Sequence, residues 1–528
     1  MTFIKMTKLT IDNRKVEVES GSTILDAARK LGIDIPTLCF REGFQPSTSC
    51  LACVVKIDNR LVSSCATVAR EGMEVESETD EVQQARRTAL ELLLSDHVGD
   101  CMAPCHSICP AQMNIPRMIR QIAADKLRDA IITVKEHIPL PAVLGRICPA
   151  PCENGCRRRF YDSPVSICLL KRYVADVDLT SEHPYLPSCK PQNGKRVAIV
   201  GAGPTGLSAA YYLLQEGYAC VLFDEHEKPG GMLQYGVPKD ELRRDVLDAE
   251  IGLIEKLGAE FRLNITIGEH TSLKSLQSDY DAVLIAVGEL KDGNAEQLRI
   301  QAPGNRIKVE RDTLKTDLKG VFAGGNAIRR RNKISVRSVA DGKTAAISID
   351  QYLSGLPVTC PHNPFIVRIG RLAEDEIQRF MVDVSGAGRV MPSSGGALSR
   401  HFSDEEARAE AIRCLHCDCR KADNCKLRDY ADVYKANPNH YKAERRLFEK
   451  YIQHPNVIYE PGKCIDCGLC IQIASEAGEP LGLTFIGRGF DVRVGVPFGR
   501  SIAEGLQKAA DRCIAACPTG ALSFKFEK

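Results

Sequence analysis

Several features common in other classes of protein are absent or scarce in this 528-residue chain. It contains no tryptophan, and its net charge is only +2, from 70 basic and 68 acidic residues. A balance so close to neutral gives no indication of binding to nucleic acid or to an anionic membrane. The lack of tryptophan has no functional interpretation. Hydrophobic content of 44% and charged content of 26% are ordinary for a soluble globular protein.

Long apolar segments are also absent. The N-terminal sequence MTFIKMTKLTID lacks the apolar core and the small-residue cleavage site of a signal peptide. The longest uncharged run, 197–215, is interrupted by Gly201, Gly203, Pro204 and Gly206, which favours a strand, a turn and a helix over a membrane span. We therefore expect the protein to lie in the reducing cytoplasm of an anaerobe. Disulfides are not expected in that compartment, so clustered cysteines indicate metal ligands.

Cysteine, by contrast, is abundant. Of the 23 cysteines, 19 fall in five short clusters: Cys39/Cys50/Cys53/Cys65, Cys101/Cys105/Cys109, Cys148/Cys152/Cys156, Cys414/Cys417/Cys419/Cys425, and Cys464/Cys467/Cys470 with Cys513/Cys517. One glycine-rich dinucleotide fingerprint lies between the third and fourth clusters. This combination predicts a protein that moves electrons. For the isolated Cys189, Cys220 and Cys360, we expect buried small apolar side chains.

Local patterns predict a multidomain fold that combines α+β and α/β parts. Polar and apolar residues alternate over 3–18, which predicts a β-hairpin turning at Asp12-Asn13. A helix is expected from Ser22 to Gly32, helices with cysteine-bearing turns over 80–180, and alternating strands and helices over 195–355. The expected domains span 1–79, 80–190, 191–357 and 456–528, with a linker over 358–402 and a four-cysteine segment over 403–455. The resemblances described below imply, in that order for the four domains, a β-grasp [2Fe–2S] ferredoxin, a helical [4Fe–4S] domain, a Rossmann-like FAD domain and a ferredoxin-like module.

The first cysteine cluster has the spacing Cys39-x10-Cys50-x2-Cys53-x11-Cys65. Four thiolates suit tetrahedral iron or zinc, so a structural zinc knot is the alternative. The order of hairpin, helix and cysteine loop resembles the [2Fe–2S] ferredoxin domain that opens the complex I iron–sulfur subunit and iron-only hydrogenases. This resemblance implies one [2Fe–2S] cluster on these four cysteines.

The helical region carries two further cysteine segments. They read HVGDCMAPCHSICP from His97 and GRICPAPCENGC from Gly145. Both resemble the N-terminal domain of the glutamate synthase small subunit and of dihydropyrimidine dehydrogenase, and the resemblance covers about residues 85–355. In that family two [4Fe–4S] clusters share these cysteines crosswise.

Carried over, the resemblance leaves each cluster one ligand short. Cys101, Cys105 and Cys156 would hold one cluster, with His97 as the candidate fourth ligand; the alternative is that His97 is a surface histidine. Cys109, Cys148 and Cys152 would hold the other. The family often uses a non-cysteine ligand at the position of Lys171 or Arg172 here, and these cations cannot ligate iron. Cys168, about one helical turn earlier on the same face, is the candidate substitute; the alternative is an altered or absent cluster.

The dinucleotide fingerprint begins at Gly201 after an apolar run. Gly201 permits a tight turn, Gly203 allows close approach of a pyrophosphate, and Gly206 allows the helix to pack on the strand. Asp224 ends the next predicted strand, placed to bind a ribose hydroxyl. The later segments PGGMLQYGVP and GVFAGGN complete a match to the FAD half of the glutamate synthase small subunit. The FAD-binding residues implied are Gly201, Gly203, Pro204, Gly206, Asp224, Gly230, Gly231, Leu233, Gly236, Gly325 and Asn326.

Two departures from that family stand out. Asn326 replaces its usual acid, and Glu241-Leu242-Arg243 replaces its Arg-Leu-Pro. More important, the family inserts an NAD(P)H domain where this chain has only about thirty polar residues, 289–319, without a glycine fingerprint. We therefore expect the flavin to exchange electrons with something other than a nicotinamide bound by this chain. The alternative is a flavin domain that serves only as scaffold.

The last two cysteine clusters also predict metal sites. Cys414, Cys417, Cys419 and Cys425 suit a [4Fe–4S] cluster or zinc. Lys463 to Cys470 resembles the first three ligands of a bacterial ferredoxin, with Ala474 where a fourth cysteine would stand. Because the Cys before Pro ligates the other cluster in two-cluster ferredoxins, Cys464, Cys467, Cys470 and Cys517 should bind one [4Fe–4S] cluster, which leaves Cys513 over. The chain is thus expected to hold FAD, one [2Fe–2S] and three to four [4Fe–4S] clusters.

These features together predict an electron-transfer subunit of a multi-subunit anaerobic oxidoreductase. The resemblances imply a complex I-like partner that binds NADH, a substrate-converting subunit and soluble ferredoxin as candidate partners, and they leave electron bifurcation open. One alternative is a self-contained flavin enzyme that reduces a small substrate directly. Another is a structural hub with an empty flavin site. No catalytic residue is assigned.

Overall fold

The computed structural model describes residues 5–291, 294–329, 331, 333–359, 364–393 and 401–525. The chain forms two compact units. The first unit comprises Met1–Ala103, Pro364–Asp383 and His416–Lys528, and the second unit comprises Pro104–Asn363 and Val384–Leu415. The boundaries of the six predicted domains and segments remain predictions.

The N-terminal part of the first unit is a small sheet with a helix. A hairpin turns at Asp12 and Asn13, whose φ angles of 47° and 63° are the left-handed values that such a turn requires. Thr23 caps the first helix through a capping box with Asp26, so the hairpin and the helix are as predicted. The elements are β1 (Met6–Ile11), β2 (Arg14–Glu19), α1 (Ile24–Lys30), β3 (Val54–Ile57), β4 (Arg60–Ser63), β5 (Met73–Val75) and α2 (Asp80–Ser95). Strands β2, β1 and β5 form one sheet, and β3 pairs with β4.

Residues 104–180 in the second unit are helical, as predicted. Short helices alternate with cysteine-bearing turns, and one of them buries an apolar stripe made by Ile115, Met118, Ile119 and Ile122. The helices are α3 (Pro104–Ile108), α4 (Ile115–Ala123), α5 (Leu127–Lys135), α6 (Pro141–Ile147), α7 (Pro151–Asn154) and α8 (Ile167–Thr180).

The rest of the second unit is built on a five-stranded parallel sheet. Its strand order is β10-β9-β6-β7-β8, and its central strands are buried along nearly their whole length because helices cover both faces. The elements are β6 (Arg196–Val200), α9 (Pro204–Gln215), β7 (Ala219–Phe223), α10 (Met232–Tyr235), α11 (Arg244–Lys256), β8 (Glu260–Arg262), α12 (Leu273–Asp279), β9 (Ala282–Ile285), α13 (Asn294–Leu298), β10 (Val321–Ala323) and α14 (Ser335–Leu353).

The connection from β9 to β10 bears on the predicted loss of a second nucleotide domain. Over its described residues, 286–291 and 294–320, it contains the five-residue helix α13 and no strand. A βαβ nucleotide-binding unit needs about thirty residues with two strands. The described part of this connection therefore contains no such unit.

The remaining elements lie in short segments. Ser403 starts α16 with a capping box to Glu406, as the acidic run after it predicts. The elements are α15 (Glu376–Phe380), α16 (Asp404–Ala411), α17 (Lys426–Val433), β11 (Val457–Tyr459), α18 (Leu469–Glu476), β12 (Thr484–Ile486), β13 (Arg493–Gly495), α19 (Ile502–Gly505), α20 (Ala510–Ala516) and β14 (Leu522–Phe524). Among the described helices, none is long and apolar enough to cross a membrane.

Candidate functional site: cysteine clusters and a glycine-rich dinucleotide cradle

The four cysteines of the N-terminal domain converge in the first unit. Cys39, Cys50, Cys53 and Cys65 are each no more than 3% exposed, and the Sγ atoms of Cys53 and Cys65 lie 3.3 Å apart. A hydrogen bond from the Cys50 thiol lowers the pKa of Cys39 to about 6, and one from Cys65 lowers the pKa of Cys53 to about 6. Because the thiolate is the metal-binding form, this arrangement fits the predicted [2Fe–2S] ligand set.

The loop on both sides of Cys50 takes unusual backbone conformations. Thr48 and Leu51 have φ angles of 52° and 51°, which side chains other than glycine rarely adopt. Such strain persists only where the surroundings enforce it. Here the loop turns around the site, and Cys50 stays buried while Leu51 is exposed.

The ferredoxin-like cysteines surround an apolar cavity, also in the first unit. Cys464, Cys467, Cys470 and Cys517 line it together with side chains such as Leu483 and Val494. Gly468, with a φ of 73°, turns the chain between the second and third of them. Burial raises the pKa of Cys467 to about 12. The four thiols fit the predicted [4Fe–4S] ligand set, and the low-polarity wall is typical of such sites.

Cys513, the residue left over by the ferredoxin pattern, is fully buried on α20. Its Sγ donates to the main-chain oxygen of Cys470 at 3.6 Å. Cys220 is buried in β7 as expected. The expectation of burial is wrong for Cys189, which is exposed in the connection before β6. Cys360 lies outside the described residues.

In the second unit, four cysteines and a lysine meet at α8. Cys168 lies with its Sγ 3.9 Å from the main-chain oxygen of Cys148. Burial, and then the charges of Cys168 and Cys109, raise the pKa of Cys152. Cys168 thus joins Cys109, Cys148 and Cys152, as the sequence predicts for a substitute ligand.

The unpredicted member of this group is Lys171. Its side chain is buried, and its Nζ donates to the main-chain oxygen of Leu144 at 3.2 Å. Burial lowers the pKa of Lys171, but the charges of the four neighbouring cysteines raise it further, to about 12. The sequence excludes Lys171 as an iron ligand but does not indicate that a protonated lysine would lie among the thiols.

The two other predicted ligand sets each have members in both units. His97 and Cys101 belong to the first unit, and Cys105 and Cys156 to the second. Cys414 belongs to the second unit, and Cys417, Cys419 and Cys425 to the first. Both groupings therefore stay predictions. Within the described residues, no three His, Cys, Asp or Glu side chains surround the position of a single metal ion.

The glycine-rich fingerprint forms the predicted strand, turn and helix in the second unit. Gly201 has a φ of 109°, and a Cβ there would lie 2.4 Å from the main-chain oxygen of Ala286. A Cβ on Gly206 would lie 2.0 Å from the main-chain oxygen of Gly201. A Cβ on Gly203 would meet nothing nearer than the Cα of Gly231 at 3.9 Å. Gly201 and Gly206 are therefore required by packing, whereas Gly203 leaves open space at the N-terminus of α9, where a phosphate would bind.

A second glycine turn supports the first. The nitrogen of Gly230 donates to the main-chain oxygen of Ala202 at 2.8 Å, and a Cβ on Gly231 would lie 3.0 Å from the Cα of Gly203. Leu233 is buried directly after this turn. Gly230 and Gly231 of the PGGMLQYG segment thus lie against the fingerprint. Gly236 ends the short helix α10.

The Asp224 carboxylate, predicted to bind ribose, is buried beside the fingerprint. Its Oδ2 accepts from the nitrogen of Ala202 at 2.7 Å, and its Oδ1 accepts from the nitrogen of His226 at 3.0 Å. Asp224 therefore fixes the glycine turn in this structure. A ribose contact by the same carboxylate remains a prediction.

Near Asn326, the structure shows an acid that the sequence did not reveal. Asp341 on α14 accepts from the nitrogen of Gly325 at 2.9 Å and forms an ion pair with Arg329. The acid missing at position 326 is thus matched by a buried carboxylate that contacts the adjacent residue. No local pattern could have indicated it, because Asp341 lies inside the helix that follows.

Models of three known domain types match parts of the chain. Residues 5–80 match a 2Fe-2S iron-sulfur cluster binding domain, residues 72–183 match the 4Fe-4S cluster domain II of dihydropyrimidine dehydrogenase, and residues 199–250 match an NAD(P)-binding Rossmann-like domain. The chain therefore carries iron–sulfur domains of both types followed by a Rossmann-like dinucleotide domain, in the predicted order.

Known relatives share only part of their length with this chain. The beta subunit of NADPH-Fe(3+) oxidoreductase from Geobacter sulfurreducens is 39% identical over 188 residues, 35% of this chain and 28% of that protein. The beta subunit of NADP(+)-dependent formate dehydrogenase from Moorella thermoacetica is 39% identical over 207 residues, 35% of this chain and 29% of that protein. The NAD-dependent dihydropyrimidine dehydrogenase subunit PreT of Escherichia coli is 39% identical over 189 residues, 35% of this chain and 45% of that protein. The chain spans less than half the length of each.

Proposed function

We propose that this chain is an iron–sulfur flavoprotein electron-transfer subunit of a multi-subunit oxidoreductase. It holds FAD, a [2Fe–2S] cluster and several [4Fe–4S] clusters, and it connects them to redox sites on partner subunits. Iron–sulfur clusters transfer single electrons, and FAD interconverts one- and two-electron chemistry. Each relative described above is named as a subunit, which supports a chain that works within a complex.

The observation that carries the proposal is the contact between two ligand loops in the first unit. Ser47, in the loop between Cys39 and Cys50, donates its hydroxyl to the main-chain oxygen of Cys467 at 2.8 Å. The charge of Cys39 also raises the pKa of Cys467. A loop suited to [2Fe–2S] and a loop suited to [4Fe–4S] therefore lie side by side, as electron transfer between neighbouring centres requires.

The nucleotide cradle fits FAD. A buried acid follows the second strand of the sheet, a second glycine turn packs on the fingerprint, and a third glycine pair precedes α14. These are the positions implied by resemblance to the FAD half of the glutamate synthase small subunit. The described part of the β9–β10 connection lacks a second βαβ unit. We propose that the nicotinamide site lies on a partner, such as a complex I-like flavin subunit.

The experiment is to purify the native complex without oxygen, identify its subunits, and measure FAD and iron in the isolated full-length chain. The proposal expects about one FAD and iron for several clusters per chain, together with partner subunits that include a nicotinamide-dependent flavoprotein. A chain that contains zinc but neither iron nor FAD would overturn it. So would a chain that purifies without partners and reduces a small substrate alone.

A further inference from the structure

The Cys101 loop packs against the segment that carries Cys419, inside the first unit. The nitrogen of Cys419 donates to the main-chain oxygen of Cys101 at 3.4 Å. The Cys101 loop also exchanges hydrogen bonds with Val367, whose nitrogen donates to the Cys101 Sγ at 3.3 Å. Main-chain N–H···S bonds of this kind are usual around cluster ligands and tune their potential. Two cysteines far apart along the chain are thus brought together.

Cys425 joins this pair. It is buried with Cys101 in one core cluster, and its Sγ donates to the main-chain oxygen of Pro518 at 3.8 Å. Cys419 is also tightly enclosed, because a Cβ on Gly520 would lie 2.2 Å from its Sγ. Cys101, Cys419 and Cys425 are therefore three buried thiols held close to one another.

His97 provides the fourth group. Its imidazole is buried, and its Nδ1 has no hydrogen-bond partner among the described residues. A neutral imidazole binds a metal through such an unprotonated ring nitrogen. An unpartnered buried ring nitrogen is unfavourable, and a metal–nitrogen bond would satisfy it.

Lys463 is a buried cation beside the same residues. It forms an ion pair with the buried Glu460, and it lies close to Cys419, because a Cβ on Gly520 would lie 3.6 Å from the Lys463 Cδ as well as 2.2 Å from the Cys419 Sγ. Gly99, between His97 and Cys101, makes room for it, because a Cβ there would lie 2.6 Å from the Lys463 Cε. A cation among buried thiolates offsets their charge, as expected where a cluster adds further negative charge.

We propose that His97, Cys101, Cys419 and Cys425 hold one [4Fe–4S] cluster in the first unit, with Lys463 as its neighbouring cation. This proposal depends on the electron-transfer function proposed above. It groups the ligands differently from the sequence patterns, which pair Cys101 with Cys105 and Cys156 and keep Cys419 with Cys414. Cys414 and Cys417 are then left to another site. Lys421, between Cys419 and Cys425, donates its Nζ to the main-chain oxygen of Cys517 at 2.8 Å, so the new site would adjoin the ferredoxin-like one.

The test compares the iron content of two single variants and their double variant, each made in the full-length chain and purified without oxygen. Cys101→Ser and Cys419→Ser should each lower the iron content by about four atoms and remove the same EPR signal from the reduced protein, since a [4Fe–4S] cluster is lost. The Cys101→Ser/Cys419→Ser double variant should lose no more iron than either single variant. A loss of about eight atoms, or different signals in the two single variants, would overturn the grouping.

Two further variants complete the design. Cys513→Ala, which removes a buried cysteine outside the proposed set, should keep the full iron content. His97→Cys should retain the iron and lower the potential of the same signal, because a thiolate replaces a neutral ligand. An unchanged potential would exclude His97 as a ligand. An unaltered [2Fe–2S] spectrum in every variant confirms folding of the first unit, and a wild-type chain without iron would contradict the function itself rather than this grouping.

Discussion

Ser47 and Cys467 connect two ligand loops through a 2.8 Å hydrogen bond from the serine hydroxyl to the main-chain oxygen of the cysteine. The same contact is flanked by Gln45, which exchanges hydrogen bonds with Gln472. Residues from opposite ends of the chain therefore hold the two cysteine sites together.

Ser47→Ala should loosen this contact. We expect a loss of about 0.5–1.5 kcal/mol of stability and a several-fold slower equilibration between the [2Fe–2S] and ferredoxin-like signals after partial reduction. Freeze-quench EPR measures the second effect. Ser278→Ala, at an exposed serine that bonds only within its own helix, is the control. Unchanged equilibration in Ser47→Ala would show that the contact does not position the two sites.

Removing the charge of Lys171 should lower the reduction potential of the cluster that lies beside it. Reduction adds negative charge to a cluster, and a buried cation stabilises the reduced form. In Lys171→Met we therefore expect the potential of the Cys109/Cys148/Cys152/Cys168 cluster to fall by about 60 mV or more, a tenfold change for one electron. A redox titration followed by EPR measures this. Lys190→Met, at an exposed lysine of the same unit, should leave all potentials unchanged, and an unaltered potential in Lys171→Met would exclude its role.

Cys168→Ala tests the substitute ligand. We expect a loss of about four iron atoms per chain with FAD retained, because the site formed by Cys109, Cys148, Cys152 and Cys168 lies outside the glycine turns. Cys220→Ala, at a buried cysteine of β7, is the matched control and should keep all its iron. Full iron in Cys168→Ala would mean that another group completes this site or that three cysteines suffice.

Alanine substitutions of Gly203 and Gly206 in the fingerprint should have different effects. The structure has room for the added methyl group of Gly203→Ala, so this variant should fold. Its affinity for FAD should fall at least tenfold, because the methyl group blocks the pyrophosphate. Gly206→Ala places a Cβ 2.0 Å from a main-chain oxygen, so it should destabilise the second unit itself. Thermal unfolding and fluorimetric FAD titration distinguish the two. Tight FAD binding by Gly203→Ala would contradict the assigned phosphate position.

Local patterns predicted the elements well because their causes are local. The turn at Asp12 and Asn13 needs two residues that tolerate a positive φ, and the start of α16 needs Ser403 with Glu406. Cysteine spacing likewise gave the sets within one loop, such as Cys464 to Cys470. Contacts between distant segments could not be predicted in this way. The meeting of Cys101 with Cys419, and of Asp341 with Gly325, depends on packing that no spacing records.

The most direct test of the central claim is an anaerobic titration of the isolated, FAD-loaded chain with NADH and NADPH, followed by flavin absorbance and EPR of the clusters. The account predicts that dithionite reduces flavin and clusters, and that neither nicotinamide does so until a partner subunit is added. Stoichiometric binding and flavin reduction by NADH or NADPH in the chain alone would contradict it.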